Sequence, residues 1–258
     1  MTNTQPLLCQ SDDRGVTTLT LNRPECRNAL DGELVAALVE QLQKLEQDKA
    51  TRVVVLTGNG RVFCSGADLA WIEQVVEQGE VANLNDARLL ADMMQRLNAF
   101  AKPVLALVNG PAFGGGLGLI ACCDIAIAVD TAEFAFSEVR LGLVAAVIAP
   151  YIQSAIGPRQ ARRLLLTAER FSAGQALELG LVHHVATEAS LEAVFDRQLA
   201  HLLQGEPVAQ SESKRLLQSL LKMDENLSDQ TAESTARIRA TQAAESRIQA
   251  FLSRRKNQ

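Results

Sequence analysis

VLALVNGPAFGGGLGLIACCDIAIAV, residues 104–129, decides the fold. Val104–Val108 has no polar residue and reads as a strand buried on both faces. Asn109-Gly110-Pro111 is a turn. Four glycines, Gly114, Gly115, Gly116 and Gly118, then open an apolar helix, and Asp124–Val129 is a second strand. A strand, a crossover helix and another strand make an α/β unit. Glycine disfavours a helix by roughly 1 kcal/mol relative to alanine, so four of them at a helix start need a reason.

The pattern extends in both directions. Pro6–Gln10 and Val16–Leu21 flank the turn Asp12-Asp13-Arg14-Gly15 and form a hairpin that Pro24 ends. Leu34, Ala37, Leu38, Leu42 and Leu45 recur at helical spacing within Asp31–Asp48. Arg52–Gly58 is a β-branched buried strand, and Ala67–Gln78 and Asn85–Phe100 are amphipathic helices. Phe134–Phe136 is a further short strand. Beyond Ala145 the expectation is helical, at 146–156, 158–167, 173–179, 188–204, 207–222 and 226–252, with only Val182–Ala186 extended. The chain divides into an α/β core over 1–190 and a helical segment over 191–258.

Composition bounds the function. The 258 residues are 47% hydrophobic and 21% charged, enough for a sizeable core. A net charge of −5 gives no support for nucleic acid, and the basic run Arg254-Arg255-Lys256 reads as a solvated end. Cys9, Cys26, Cys64, Cys122 and Cys123 contain no CxxC pair, which points to a reducing compartment and no metal site. The start of the chain has no leader pattern and no apolar run reaches about 18 residues, so no membrane association is expected and the cytoplasm is the expected location.

Three stretches carry chemistry. The glycine cluster follows a buried strand, so a helix beginning there aims free N–H groups at whatever approaches. This suits an anion or a developing oxyanion, although tight helix-to-strand packing explains glycines equally well. VVVLTGNGRVFCSGADL, residues 53–69, repeats the layout, with Ser65-Gly66-Ala67-Asp68 at the corner. Two such corners supply two N–H donors, or are turns and nothing more. In AEFAFSEVRLGL, residues 132–143, Glu138 follows an apolar run and is either a buried proton shuttle or an exposed strand-end carboxylate. His183, His184 and His201 lack HExxH spacing, and neither GxSxG nor a phosphate loop is present. Cys64 reads as packing.

NRPECRNAL (22–30), GRVFCSGADL (60–69), NGPAFGGGLGL with CCDI (109–125), FSEVRLGL (136–143) and LTAERFSAGQALELGLVHHV (166–185) resemble, in order and spacing, the crotonase superfamily of enoyl-CoA hydratases and isomerases. ESRIQAFLSRRK (245–256) resembles that family's last helix, so the resemblance covers almost the whole chain. It implies a spiral of β-β-α units with a helical C-terminal trimerisation region, assembled as a homotrimer or a hexamer. It also implies an acyl-CoA substrate, with coenzyme A as part of the substrate and no permanent cofactor.

By resemblance, the N–H groups of Ala67 and Gly115 form an oxyanion hole for the thioester oxygen, and Glu138 is the catalytic carboxylate. The hydratases' other glutamate falls at position 118, which is Gly118 here. The chain is most similar to the methylglutaconyl-CoA hydratase type, which implies a branched or carboxylated acyl group that Arg140 would pair with. The Arg23–Asn28 turn, with Arg27 toward the phosphates, and Ser65, Gly66, Asp68, Leu69 and Gly114 would line the CoA path. Lys214 and Phe251 would reach phosphate or adenine, in part from a neighbouring subunit. Three readings follow: a 2-enoyl-CoA hydratase, a Δ3-Δ2 isomerase with Glu138 as sole base, and a catalytically weak acyl-CoA- or RNA-binding scaffold.

Overall fold

A computed structural model describes residues 5–220 and 226–256. The strand run at Val53–Gly58 shows why the chain folds as it does. Val53 and Val55 point to one face of the sheet, Val54 and Leu56 to the other, and all four are at most 1% exposed. A strand buried on both faces needs helices on both, and a parallel sheet supplies them through its crossovers.

The main sheet has the order β1 (Leu7–Ser11), β2 (Val16–Leu21), β3 (Val53–Gly58), β4 (Val104–Val108), β6 (Ile125–Val129) and β9 (His184–Ala186). The β1–β2 hairpin is antiparallel and every other pairing is parallel. A smaller sheet joins β5 (Ala112–Phe113), β7 (Glu133–Ala135) and β8 (Phe171–Ser172). The helices are α1 (Gly32–Gln47), α2 (Leu69–Glu77), α3 (Glu80–Ala99), α4 (Gly115–Cys122), α5 (Ala149–Thr167), α6 (Ala173–Glu178), α7 (Glu188–Gln204), α8 (Pro207–Leu220), α9 (Leu227–Arg239) and α10 (Gln242–Lys256).

The repeating unit is a strand in the main sheet, a short rung in the second sheet, then a helix. β4, β5 and α4 make one turn; β6, β7 and α5 make the next. Rungs of successive turns stack in parallel, Cys64 on Ala112 and Ala112 on Phe134. This is the expected mixed α/β spiral.

Leu34, Leu38 and Leu42 of α1, Met93, Met94 and Leu97 of α3, and Leu117 and Ile120 of α4 fill the core on one face of the main sheet. On the other face Val16, Val53, Val55, Leu105 and Ile127 pack under Leu199, Leu191, Val194 and Phe195 of α7. The helices after residue 190 share in this packing: α7 covers the sheet, and α9 lies along α3. Among the described residues, no helix is long and apolar enough to cross a membrane.

Several elements depart from expectation. The helix expected from Asn85 begins at Glu80, because the buried Asn83 faces inward and donates to the Ala236 carbonyl (2.6 Å). The 226–252 helix is two helices, broken at Ala240 and Thr241. The break expected between 146–156 and 158–167 is, by contrast, present: α5 is two helical halves separated at Gly157, whose φ is +77°. Residues 221 and 222, expected to be helical, lie outside the described residues.

The first two turns of the spiral are tied by Asn28, which is fully buried with φ +55°. Its Nδ2 donates to the carbonyls of Asn59 (3.0 Å), Val62 (2.8 Å) and Phe63 (3.2 Å), and its Oδ1 accepts from the Arg23 N–H (2.9 Å). Two N–H groups thus serve three carbonyls. Asn28→Ala removes the donor to those carbonyls, of which the Phe63 carbonyl is buried, and removes a residue suited to left-handed backbone. It is expected to cost about 2–4 kcal/mol, read as a lower urea midpoint at unchanged slope.

Candidate active site

The site begins with register. Cys64 pairs with Ala112, and three residues further along each chain lie Ala67 and Gly115. The corners therefore fall side by side. Gly66 has φ +88°, and a Cβ there would lie 2.8 Å from the Phe113 carbonyl oxygen and 3.5 Å from the Gly115 nitrogen. Only a residue without a side chain permits this approach.

Both corners present an N–H. The Leu30 N–H donates to the Gly66 carbonyl (2.8 Å) and the Asp68 N–H to the Leu30 carbonyl (2.8 Å). In a parallel bridge the central residue's own groups point the other way, so the Ala67 N–H turns from Leu30. Gly115 is the first residue of α4, where an N–H has no partner within the helix. Among the described residues neither N–H donates a bond outside the helices and strands.

Arg23 fixes this geometry. Asp31 caps α1 and accepts from the Leu34 N–H (2.8 Å); Asp68 caps α2 and accepts from the N–H groups of Ala70 (3.2 Å) and Trp71 (3.4 Å). The Arg23 guanidinium bridges both caps, at 2.8 Å from Asp31 and 3.1 Å from Asp68, and donates to the Ala29 carbonyl. It thereby clamps the segments before and after the Leu30–Ala67 bridge.

Glu138 closes the third side. It starts a short 3-10 turn, Glu138–Leu141, after β7, rather than ending a strand. A Cβ on Gly114, whose φ is +48°, would lie 2.8 Å from Glu138 Oε1. Its Oε2 is buried without a hydrogen-bond partner. Burial raises its pKa from an ordinary 4.5 to about 7, opposed only by its own backbone N–H. The carboxyl is therefore poised between its two forms near neutral pH.

Gly118 faces an apolar wall. A Cβ there would lie 2.3 Å from Ile148 Cγ2 and 3.0 Å from Met94 Cε. The space a second carboxylate would need is filled by hydrocarbon.

The other expected residues divide. Ser65, Gly66, Asp68, Leu69 and Gly114 lie at the corners, and the exposed Arg27 is tied to Ser65, whose N–H donates to its carbonyl (3.0 Å). Arg140 shares the Glu138 turn with its side chain exposed. Lys214 is not brought to the corners. It donates to Asp124 (2.7 Å) at the start of β6, whereas Ala67 and Gly115 follow the far ends of β3 and β4. Five-residue strands put those ends about 17 Å apart. Phe251 is on α10 and 41% exposed. Burial pushes the Cys64 thiol up to about 12, so it is no nucleophile at neutral pH. His183 Nδ1 accepts from the Ala126 N–H (3.0 Å), a packing role. Among the described residues no three His, Cys, Asp or Glu side chains are placed to hold a metal.

Sequence reasoning missed Leu30, Ile148 and Met94, which wall the site, and placed Arg23 in the turn along the CoA path without its clamping role. Arg23 and Leu30 lie in the NRPECRNAL stretch; Ile148 and Met94 read as ordinary core.

A spiral α/β fold whose glycine corners meet beside a buried carboxylate defines the class. The chain belongs to the enoyl-CoA hydratase/isomerase family, a family of enzymes whose model matches residues 11–258. It is 37% identical to the 2,3-dehydroadipyl-CoA hydratase of Escherichia coli over 81% of each chain. It is 35% identical to the hydroxycinnamoyl-CoA hydratase-lyase of Pseudomonas fluorescens, over 75% of this chain and 71% of the relative. The crystal structure of an enoyl-CoA hydratase from Shewanella pealeana matches with a TM-score of 0.81 at 39% identity, over 98% of this chain and 95% of that one.

Two outcomes follow from the Glu138 carboxyl and the Gly118 wall. Between 4.5 and about 7 the folded chain holds a proton at Glu138 that the unfolded chain releases. Stability is thus fully present below 4.5 and declines as pH rises through about 7, by about 3 kcal/mol in all. Glu138→Gln removes that decline, which urea titrations at pH 5 and pH 8.5 measure. Gly118→Ala overpacks the wall and is expected to cost about 1–3 kcal/mol. Adding Ile148→Ala to that variant costs less than it does in the parent chain, because the new methyl group fills part of the cavity; a double-mutant cycle reads this coupling.

Proposed function

We propose that the protein is a 2-enoyl-CoA hydratase that works with a single carboxylate. The observation that carries this reading is the buried, unpartnered Oε2 of Glu138, whose Oε1 is seated against Gly114 beside the two glycine corners.

In this reading the Ala67 and Gly115 N–H groups hold the thioester oxygen. Water adds its oxygen to the β-carbon while Glu138 takes one of its protons, and the electron pair of the double bond moves to the thioester oxygen. The enolate is stabilised by the two donors, at about 3 kcal/mol each. Glu138 then returns the proton to the α-carbon. One water has been added across the double bond and the carboxylate is regenerated. A carboxyl poised near neutrality suits both half-steps. Coenzyme A enters as part of the substrate, along Arg27, Ser65, Gly66, Asp68, Leu69 and Gly114.

The acyl group is assigned to the branched or carboxylated class, of which methylglutaconyl-CoA is the model. The name of the Escherichia coli relative, 2,3-dehydroadipyl-CoA hydratase, supports this for that protein, since its substrate ends in a carboxylate. Assembly as a trimer or a dimer of trimers accords with the exposed Val208, Leu216, Leu217 and Leu220 on α8. The proposed location is the cytoplasm.

The apolar wall at Gly118 favours a second reading. With no second carboxylate to hold water, Glu138 alone could move a proton between the α- and γ-carbons of a 3-enoyl-CoA. Absorbance of the conjugated thioester separates the two. A hydratase removes the signal of crotonyl-CoA in water, and an isomerase creates it from a 3-enoyl-CoA. The expected outcome is removal, rising with pH through an inflection near 7 as Glu138 ionises. Glu138→Gln is expected to lose about 10²–10⁴ in rate while still binding CoA. Full turnover by that variant would refute the assignment.

A further inference from the structure

The turn that carries Glu138 has little hold of its own. Glu138–Leu141 is a single 3-10 turn with no fully buried residue, and Val139 is 38% exposed. Such turns have poor hydrogen-bond geometry. Its closing bonds are local, from the Gly142 N–H to the Val139 carbonyl (3.2 Å) and from the Leu143 N–H to the Glu138 carbonyl (3.0 Å). A reacting carboxyl has to be placed to within a fraction of an ångström, so the turn needs support from elsewhere.

The support comes from α10, at the far end of the chain. Its first turn lies on Gly142, where a Cβ would lie 3.2 Å from the Ala243 carbonyl oxygen and 3.2 Å from the Ala244 nitrogen. Gly142 has φ +71°, so one glycine serves both the left-handed end of the turn and the approach of the helix. Arg247 Nη1 donates to the Arg140 carbonyl (3.2 Å). Ala244 is fully buried and Ile248, one helical turn later, is 3% exposed, whereas the three residues between them are exposed. Along this narrow stripe α10 packs against both the Glu138 turn and α2, the helix that follows Ala67. The base of α10 is fixed too. Arg239, at the end of α9, is buried and donates to Asp86 of α3 (2.6 Å), and the Thr241 hydroxyl caps α10 by accepting from the Ala244 N–H (3.3 Å). Docking for stability alone needs the apolar stripe. It does not need backbone-to-backbone contact with the one turn that carries the candidate base.

We propose that Ile248 is a positioning residue for Glu138: it anchors α10 as a strap that holds the Glu138–Leu141 turn beside the glycine corners. The inference rests on the reading of Glu138 as the reacting carboxylate, and it names what fixes that group. Gly142 is the seat of the strap, and Arg247 is a second, exposed tie.

Ile248→Asn in the full chain tests it, because a neutral amide in the buried stripe loosens α10 without adding charge near Glu138. Hydrogen–deuterium exchange over residues 138–143 is expected to quicken at least about 10-fold, with exchange in Val53–Gly58 and Val104–Val108 unchanged. In the hydration of crotonyl-CoA, kcat is expected to fall about 10- to 100-fold while the dissociation constant of butyryl-CoA stays within about 3-fold. Ile248→Val keeps the apolar anchor and is expected to behave as the parent chain in both measurements. If Ile248→Asn does not fold, Ile248→Ala carries the test, with both exchange and kcat expected to change at least about 3-fold. Unchanged exchange over 138–143, an unchanged kcat, or equal losses of kcat and of butyryl-CoA binding would overturn the proposal. If the parent chain does not hydrate crotonyl-CoA, the hydratase reading fails separately, and exchange over 138–143 alone decides for or against the strap.

Discussion

Two corners of the chain touch where neither has a side chain, and the rest of the structure serves that contact. Gly66 lies so close to the Phe113 carbonyl that a Cβ would collide with it, and the Gly115 nitrogen lies at contact distance beside it. The stacked rungs set the register, Cys64 on Ala112 and Ala112 on Phe134. Asn28 gathers the carbonyls of the first corner from beneath, and Arg23 clamps the caps of α1 and α2 around the Leu30–Ala67 bridge. The donors are thus positioned by backbone held in a rigid frame, which is the requirement for stabilising a charge that exists only briefly.

The same frame explains an energetic oddity. Glu138 is half-buried, yet its Oε2 is sealed off without a partner, an arrangement a fold selected for stability alone would remove. Its burial raises its pKa to about 7, so the chain is less stable above neutrality than it need be. That cost and the ability to move a proton have one physical origin. The hydrocarbon wall of Ile148 and Met94 at Gly118 keeps the surroundings dry and leaves Glu138 without a nearby rival carboxylate.

Much of this was legible in the sequence because it is written in backbone-level signals. The apolar runs at Val53–Gly58 and Val104–Val108 mark doubly buried strands, and the glycine clusters after them mark corners. Gly157-Pro158 divides α5 as expected, because glycine takes the positive φ and proline starts the second half. Other features escaped for physical reasons. The two-residue rungs β5 and β8 have no alternation to detect; β7 holds both, β5 in parallel and β8 antiparallel. The early start of α3 depends on Asn83 bonding α9, a contact across 153 residues. Arg239 looks like any solvated helix charge until α9 is laid along α3. Glu138 was visible, but whether it was buried or exposed was decided only by the turn at Glu138–Leu141.

The account stands most directly on where a thioester oxygen sits. A crystal structure of the full chain with the inert thioester butyryl-CoA would show it. The account predicts that the carbonyl oxygen lies about 2.7–3.1 Å from both the Ala67 and Gly115 nitrogens, with the Glu138 carboxyl facing the α- and β-carbons. A thioester oxygen bonded to neither nitrogen, or an acyl chain directed away from Glu138, would contradict it.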